Sequence, residues 1–241
     1  MRKRSAALPA LLILLLFVSR AFCAAGEELP AYKNDEEKRI YACGSGGKYL
    51  ALTFDDGPHP VYTDRILKTL KKYGVRATFF VIGENVGYYP GVLERVLADG
   101  HAIGSHTFSH RHVSSVSRAQ FFEEYRKNDR LLRSFGVETK LFRPPEGVCD
   151  AKVQALSARF DCDIILWSVD TEDWRSPPVY KIVRAVLDRV QGGEIILMHD
   201  YVSGESHTAA ALEIILPELL SRGFEFVTVG ELIGRTASER Q

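Results

Sequence analysis

Residues 49–58 read Tyr-Leu-Ala-Leu-Thr-Phe-Asp-Asp-Gly-Pro, a short apolar run that ends in two acidic residues and a Gly-Pro pair. A continuous apolar run of this length is typical of a buried parallel strand, so we expect a strand over Tyr49–Phe54. Gly and Pro directly after the acidic pair predict a sharp turn. Asp55 and Asp56 are therefore expected where the strand ends.

Further short apolar runs follow and alternate with amphipathic segments. The strand-like runs are Ala77–Ile82, Ala102–Gly104, Leu141–Phe142, Ile164–Trp167, Ile195–Met198 and Phe224–Val227. Helical periodicity occurs around Ile66–Tyr73, Val92–Leu97, Ser117–Phe135, Val153–Ala158, Val179–Val190 and Ala209–Leu220. This alternation predicts an α/β fold of mainly parallel strands in a single domain, a (β/α) barrel or a distorted one.

Polar residues come within three residues of the end of most of the predicted strands. They are Asp55 and Asp56, His106, Arg143, Asp170 and His199. In a barrel of parallel strands, the carboxyl ends converge on one face, where active sites lie. Residues that are scattered along the chain are therefore expected to form one cluster.

The adjacent carboxylates of Asp55 and Asp56 repel each other, and the repulsion grows in a concave site of low dielectric constant. A bound metal ion and an arginine would offset that charge. A solvated Asp-Gly turn is the simpler alternative for this motif alone.

His106 and His110 are four residues apart, and on a helical turn that spacing directs both rings the same way. Two histidines and one carboxylate form a common ligand set for catalytic zinc and leave a position for water. A pair of surface histidines on a helix is the alternative. His112 follows closely and is interpreted as a neighbour, not a ligand.

Residues 143–147, Arg-Pro-Pro-Glu-Gly, form a segment whose prolines restrict the backbone, which suits a fixed N–H directed at a developing oxyanion. A loop leading into a helix is the alternative.

Residues 170–174, Asp-Thr-Glu-Asp-Trp, and His199 carry little information alone, because a single histidine after a strand is more often a packed side chain.

Together and in this order, these segments resemble the polysaccharide deacetylase family, with its NodB homology domain, also called carbohydrate esterase family 4. The resemblance covers residues 48–234. It implies a distorted (β/α) barrel that removes acetyl groups from N-acetylated sugars with one divalent metal ion. Zn²⁺ is the expected ion, and Co²⁺, Ni²⁺ and Mn²⁺ are the alternatives.

The resemblance also implies a role for each matching residue. Asp55 would be the general base, oriented by Arg143. The metal ligands would be Asp56, His106 and His110. His199 would be the general acid, held by Asp170. The Glu146 backbone N–H stabilises the oxyanion, and Trp174 and Leu197 line the acetyl pocket. Family members often carry an aromatic residue, arginine or glycine where this chain has Glu146. Since only the backbone N–H is needed for the oxyanion, this departure bears on substrate preference and not on activity.

The N-terminus has the pattern of a secretory signal peptide over residues 1–25. Basic residues precede a short apolar run, and small residues follow it. An uncleaved signal anchor is the alternative. Residues 26–47 are polar and predict a linker or arm, residues 48–234 the catalytic domain, and residues 235–241 a C-terminal tail. The mature chain is therefore expected to be secreted or associated with the cell surface.

Beyond residue 25 the chain has 27 basic and 31 acidic residues, a net charge of −4, which argues against a nucleic-acid partner. We expect a glycan polymer as substrate and no stable protein partner. The first hypothesis is an N-deacetylase of peptidoglycan N-acetylglucosamine. The alternatives are a chitin-oligosaccharide deacetylase, an acetylxylan esterase of the same fold, or a catalytically silent glycan-binding protein.

Overall fold

The computed structural model describes residue 35, residues 40–43 and residues 47–238. The strands of this part are β1 (Ile40–Tyr41), β2 (Tyr49–Asp55), β3 (Thr78–Val81), β4 (Ala102–Ser105), β5 (Leu141–Phe142), β6 (Asp163–Ile165), β7 (Val169–Asp170), β8 (Ile195–His199) and β9 (Glu225–Phe226). The helices are α1 (Tyr62–Tyr73), α2 (Gly83–Tyr88), α3 (Pro90–Ala98), α4 (Arg118–Ser134), α5 (Ala151–Phe160), α6 (Val179–Leu187), α7 (Thr208–Ser221) and α8 (Val229–Ser238).

The strands form one parallel sheet in the order β1-β6-β5-β4-β3-β2-β8-β7, and β9 pairs with β2. The described strands curl into a distorted barrel surrounded by helices. The barrel is open, because this strand order has two ends, β1 and β7. The predicted fold class is confirmed. All seven predicted strands are present, with ends shifted by one or two residues.

The side chains of β2 alternate between the helix-packed core and the barrel interior. Leu50, Leu52 and Phe54 are buried in the large cluster that includes residues of α1, α3, α6 and α7. Since successive side chains of a strand point to opposite faces, Thr53 and Asp55 share the other face. The same strand therefore contributes to the core on one side and to the site on the other.

Regular secondary structure extends into both of the predicted end segments. The predicted linker, residues 26–47, contains β1, which pairs with β6 at one end of the sheet order. The predicted tail, residues 235–241, begins inside α8. The predicted signal peptide, residues 1–25, lies outside the described residues. Among the helices described, none combines the length and the apolar character needed to cross a membrane.

Candidate active site

The polar residues that follow the strands lie at one rim of the sheet, as predicted. Asp55 ends β2 and His199 ends β8, and these two residues are register partners on neighbouring strands. His106 directly follows β4, and Arg143 directly follows β5. Parallel pairing thus places residues from distant parts of the chain at the same edge of the sheet.

Arg143 is fully buried and is held from several directions. Its Nη1 donates to Asp55 Oδ1 at 2.7 Å and to Thr53 Oγ1 at 2.8 Å. Its Nε and Nη2 donate to the carbonyls of Ile165 and Leu166. A buried guanidinium is tolerated when its hydrogen bonds are satisfied and a carboxylate compensates its charge. These bonds fix Arg143, which in turn fixes one oxygen of Asp55.

Asp56, His106 and His110 form a group that can hold a metal ion. One ligand atom from each residue lies within 4.8 Å of the others. Both histidine Nε2 atoms are 3.5 Å from Asp56 Oδ1. That oxygen is buried and has no hydrogen-bond partner among the described residues, although buried carboxylate oxygens are normally paired. A divalent cation would supply the missing partner.

The hydrogen bonding of His106 suits a metal ligand. Its Nδ1 lies 2.7 Å from the carbonyl oxygen of Arg143, so Nδ1 carries the proton and Nε2 presents its lone pair. Burial lowers the pKa of His106 although the charge of Asp55 opposes that effect. The ring is therefore neutral, which is the form that binds metal. The residues present fit a divalent ion.

The backbone between the two histidines differs from the predicted helical turn. Residues 106–110 form a loop in which Thr107 has φ 67° and His110 has φ 50°. These left-handed conformations bring the rings to a centroid distance of 4.8 Å without a helix. The prediction that the histidines converge is correct, but the helical reason for it is wrong.

Glu124 of α4, a residue not predicted from the sequence, holds this loop. Its Oε2 accepts hydrogen bonds from the backbone N–H of Ser109 at 2.8 Å and from Ser109 Oγ at 2.7 Å. A glutamate on an amphipathic helix carries no sequence signal that distinguishes it from surface glutamates. Only the packing of α4 reveals its contact with the loop.

The structure also corrects the partner of His199. Asp170 was predicted to hold this histidine, but His199 Nδ1 lies 2.7 Å from Asp173 Oδ1. Asp173 Oδ2 also accepts hydrogen bonds from the backbone N–H of His199 at 2.9 Å and from Thr208 Oγ1 at 2.6 Å. Asp170 Oδ1 instead accepts the N–H of Glu172. Asp173 is the nearer carboxylate because a short 3-10 helix, Asp173–Arg175, turns the chain back toward β8.

Two opposing effects set the pKa of His199. Burial alone would lower it, but the hydrogen bond and charge of Asp173, with the charges of Asp55 and Asp56, raise the pKa of His199 to about 9. The imidazole is therefore protonated at neutral pH. Since Asp173 occupies Nδ1, the other nitrogen, Nε2, is the one that remains to transfer a proton.

Glu146, Trp174 and Leu197 lie on three separate elements. Glu146 lies in the 3-10 helix Pro145–Gly147 with φ 57°, and its carboxylate lies 2.9 Å from His112 Nε2. Trp174 is 49% exposed, whereas Leu197 is buried in β8. His112 contacts Glu146 and is not in the metal-ligand group of the described residues.

Asp200, which is not among the predicted site residues, supports the turn that carries Asp55 and Asp56. It is buried and accepts the Gly57 N–H at 2.9 Å and Thr63 Oγ1 at 2.6 Å. A Cβ at residue 57 would lie 2.0 Å from Asp200 Oδ2, so only glycine fits there. Burial raises the pKa of Asp200 to about 7, although both hydrogen bonds oppose the shift.

Comparison with known proteins identifies the family. The family model described as "Polysaccharide deacetylase" matches residues 44–165. A peptidoglycan-N-acetylglucosamine deacetylase of Bacillus cereus is 39% identical over 188 residues, which are 77% of this chain and 88% of the relative. The chain belongs to the polysaccharide deacetylase family.

Other members of the polysaccharide deacetylase family extend this similarity to a second substrate class and to a solved structure. A chitooligosaccharide deacetylase of a Bradyrhizobium species is 36% identical over 81% of this chain and 95% of the relative. A crystal structure of a peptidoglycan N-acetylglucosamine deacetylase, in complex with 4-naphthalen-1-yl-N-oxidanyl-benzamide, has a TM-score of 0.79. It is 33% identical and is matched over 83% of this chain and 94% of that chain. The family predicted from the motifs is confirmed.

Proposed function

We propose that this polysaccharide deacetylase is an exported, metal-dependent hydrolase that removes N-acetyl groups from N-acetylglucosamine in peptidoglycan. The observation that carries the proposal is the arrangement of two carboxylates with separate partners. Asp55 is bound by Arg143, whereas Asp56 Oδ1 lies between two histidines and has no hydrogen-bond partner within the described part of the chain. Adjacent residues with such different surroundings suit different roles.

Asp56, His106 and His110 would hold the ion, with Zn²⁺ expected from a set of two histidines and one carboxylate. When bound, the ion supplies Lewis-acid chemistry, which polarises a carbonyl and acidifies water. Co²⁺, Ni²⁺ and Mn²⁺ remain alternatives, because the same nitrogen and oxygen ligands bind them.

Asp55 is the proposed general base. Arg143 engages its Oδ1, while Oδ2 lies 3.7 Å from His106 Nε2, beside the proposed ligand set. Oδ2 is therefore the oxygen that would accept a proton from the attacking water. General base catalysis by a positioned carboxylate contributes about 10²–10⁴-fold to rate.

His199 is the proposed general acid. Expulsion of an amide anion is prohibitive, so the departing nitrogen needs a proton as its bond to the acetyl carbon breaks. The raised pKa of His199 keeps that proton available at neutral pH, and Asp173 fixes the ring. The Glu146 backbone N–H is the proposed oxyanion donor, and Trp174 and Leu197 are the proposed walls of the acetyl pocket.

The identities of the relatives support an amino-sugar polymer as substrate, with peptidoglycan first and chitin oligomers second. The signal-peptide pattern of residues 1–25 supports export to the compartment in which peptidoglycan lies. An acetylxylan esterase and a silent glycan-binding protein are the other candidates.

Acetate release from peptidoglycan, chitin oligomers and acetylated xylan, measured side by side, tests the proposal. We expect release that is fastest from peptidoglycan, depends on added metal and is lost in Asp55→Asn. Faster release from chitin oligomers or xylan would replace the proposed substrate. No release from any glycan would support a silent binding protein.

A further inference from the structure

Four aromatic rings form a continuous cluster beside the candidate active site. The His59 ring lies 4.7 Å from that of Tyr62, 5.3 Å from Tyr201 and 6.1 Å from Tyr89, measured between centroids. The ring of Tyr88 lies 6.2 Å from that of Tyr89 and extends the cluster. We call these five residues the aromatic rim.

Part of the aromatic rim is open to solvent. Tyr88 is 71% exposed and Tyr201 is 41% exposed, while His59, Tyr62 and Tyr89 are half-buried. A contiguous exposed aromatic surface is uncommon on a monomer and often marks a binding site. The mechanism proposed above uses none of these rings.

Hydrogen bonds order two members of the aromatic rim, Tyr62 and His59. The hydroxyl of Tyr62 donates to the carbonyl of Gly204 at 2.6 Å, which ties α1 to the loop after β8. His59 Nδ1 accepts from the backbone N–H groups of Val61 and Tyr62, each at 3.2 Å. A surface that is already ordered loses little conformational entropy on binding a ligand.

Two residues of the aromatic rim lie in the segments that directly follow the proposed catalytic residues Asp55 and His199. His59 follows Asp56 by three residues, and Tyr201 follows His199 by two. Asn85 Nδ2 donates to the Asp56 carbonyl at 2.7 Å, which joins this turn to α2, the helix that ends at Tyr88. A sugar on the aromatic rim would therefore belong to the same glycan as the sugar being deacetylated.

The strand order supplies a direction for that glycan. The aromatic rim follows β3, β2 and β8, and Trp174 follows β7, the next strand in the order β3-β2-β8-β7. An extended polymer that crosses the carboxyl ends of these strands would meet the aromatic rim on one flank and Trp174 on the other.

We propose that the aromatic rim is a glycan subsite in which Tyr89 and Tyr201 stack against the pyranose ring of a sugar neighbouring the scissile acetamide. A pyranose has apolar C–H faces and a polar edge, and a tyrosine offers an apolar ring with a polar hydroxyl. The rim is uncharged when His59 is neutral, and burial lowers the pKa of this histidine. This inference rests on the proposed function and names a second contact for the same substrate.

Chain-length dependence tests the subsite. Acetate release is measured on fully N-acetylated glucosamine oligomers from dimer to hexamer with wild type, Tyr89→Ala, Tyr201→Ala and the double variant. We expect kcat/KM for the hexamer to fall about tenfold in the double variant, mainly through KM, because a lost ring contact is of that size. The dimer, whose second sugar can lie on the Trp174 flank instead of the aromatic rim, should be affected less than twofold.

Two controls make the result specific. Tyr180→Ala removes another exposed tyrosine, on α6 and outside the aromatic rim, and should leave the length dependence unchanged. Tyr89→Phe and Tyr201→Phe keep the rings and should retain most of the hexamer preference. Equal losses for dimer and hexamer, or an unchanged hexamer preference in the double variant, would overturn the subsite.

Calorimetric binding of the hexamer separates failure of the subsite from failure of the proposed function. If wild type releases acetate neither from these oligomers nor from peptidoglycan, the proposed function fails, and hexamer binding decides the subsite alone. Weaker binding in the double variant but not in Tyr180→Ala supports it. Unchanged binding, or no binding to wild type, refutes it.

Discussion

Several carboxylates act on His199 through their charge, and among the described residues Asp173 is the one hydrogen-bonded to its ring. Asp173 raises the pKa of His199, so its removal should lower that pKa. Because the general acid must be protonated, activity is lost as pH rises through this pKa. We expect the alkaline limb of the kcat/KM profile to move to lower pH in Asp173→Asn.

Asp170→Asn is the matched control for this prediction. Asp170 accepts a hydrogen bond from the backbone N–H of Glu172, and it acts on His199 through its charge. The limb should therefore move less than in Asp173→Asn, with bound metal unchanged in both variants. A larger movement in Asp170→Asn would restore the role that the sequence predicted for it.

Asp55 and Asp56 are adjacent, but their substitutions should have different consequences. Asp55→Asn leaves the proposed ligand set intact, so zinc affinity should persist while turnover falls about 10²–10⁴-fold. Asp56→Asn removes the buried oxygen between the two histidines, so zinc affinity should fall first. Calorimetric zinc titration and acetate release measure the two effects, and the opposite pattern would exchange the proposed roles.

Glu146 places a carboxylate next to the proposed oxyanion donor. It would repel the lactyl carboxylate of N-acetylmuramic acid and so favour N-acetylglucosamine. Since its side chain is half-exposed and paired with His112, the effect is expected to be small. In Glu146→Gln the ratio of free amines on glucosamine to those on muramic acid should fall about twofold. Mass spectrometry of digested peptidoglycan locates the free amines. Amines mainly on muramic acid in the wild-type digest would contradict the expectation.

At the scale of elements, α4 anchors the loop that carries the proposed metal ligands. Asn128 Nδ2 donates to the carbonyl of Val81 and to Ser105 Oγ, which fixes α4 against the ends of β3 and β4. Glu124, one turn earlier on the same helix, bonds Ser109 in the loop. The histidine positions therefore depend on how this helix packs.

Glu124→Ala should weaken zinc binding about tenfold, the usual effect of removing a group that orients metal ligands. Glu123→Ala is the matched control, because its carboxylate bonds Arg126 and Arg130 on the surface of the same helix. Zinc titration with circular dichroism distinguishes loss of orientation from loss of fold. Equal zinc affinities in the two variants would contradict a positioning role for Glu124.

The sequence predicts elements better than it predicts the contacts between them. The apolar run before Asp55 indicates a buried strand, and that fixes where the carboxylate lies. The choice between Asp170 and Asp173 depends on a 3-10 turn that no periodicity indicates. The His106 spacing was explained by a helix, but Thr107 and His110 adopt left-handed conformations that residue type does not reveal.

For the whole molecule, the parallel order of strands determines which distant residues meet. β2 pairs with β3 on one side and with β8 on the other, although β8 comes 140 residues later in the chain. The sequence predicted the strands and the common rim. It could not give this order, because short apolar runs have no preference for particular partners.

The pairing of β2 with β8 has a consequence for how activity arises during folding. Contacts between segments so far apart form slowly, since loop closure precedes the stabilisation that they provide. The three proposed metal ligands span residues 56–110, but His199 joins them only when β8 docks beside β2. A folding chain would thus be able to hold a metal ion before it could turn over substrate, and deacetylation would begin only as the barrel is completed.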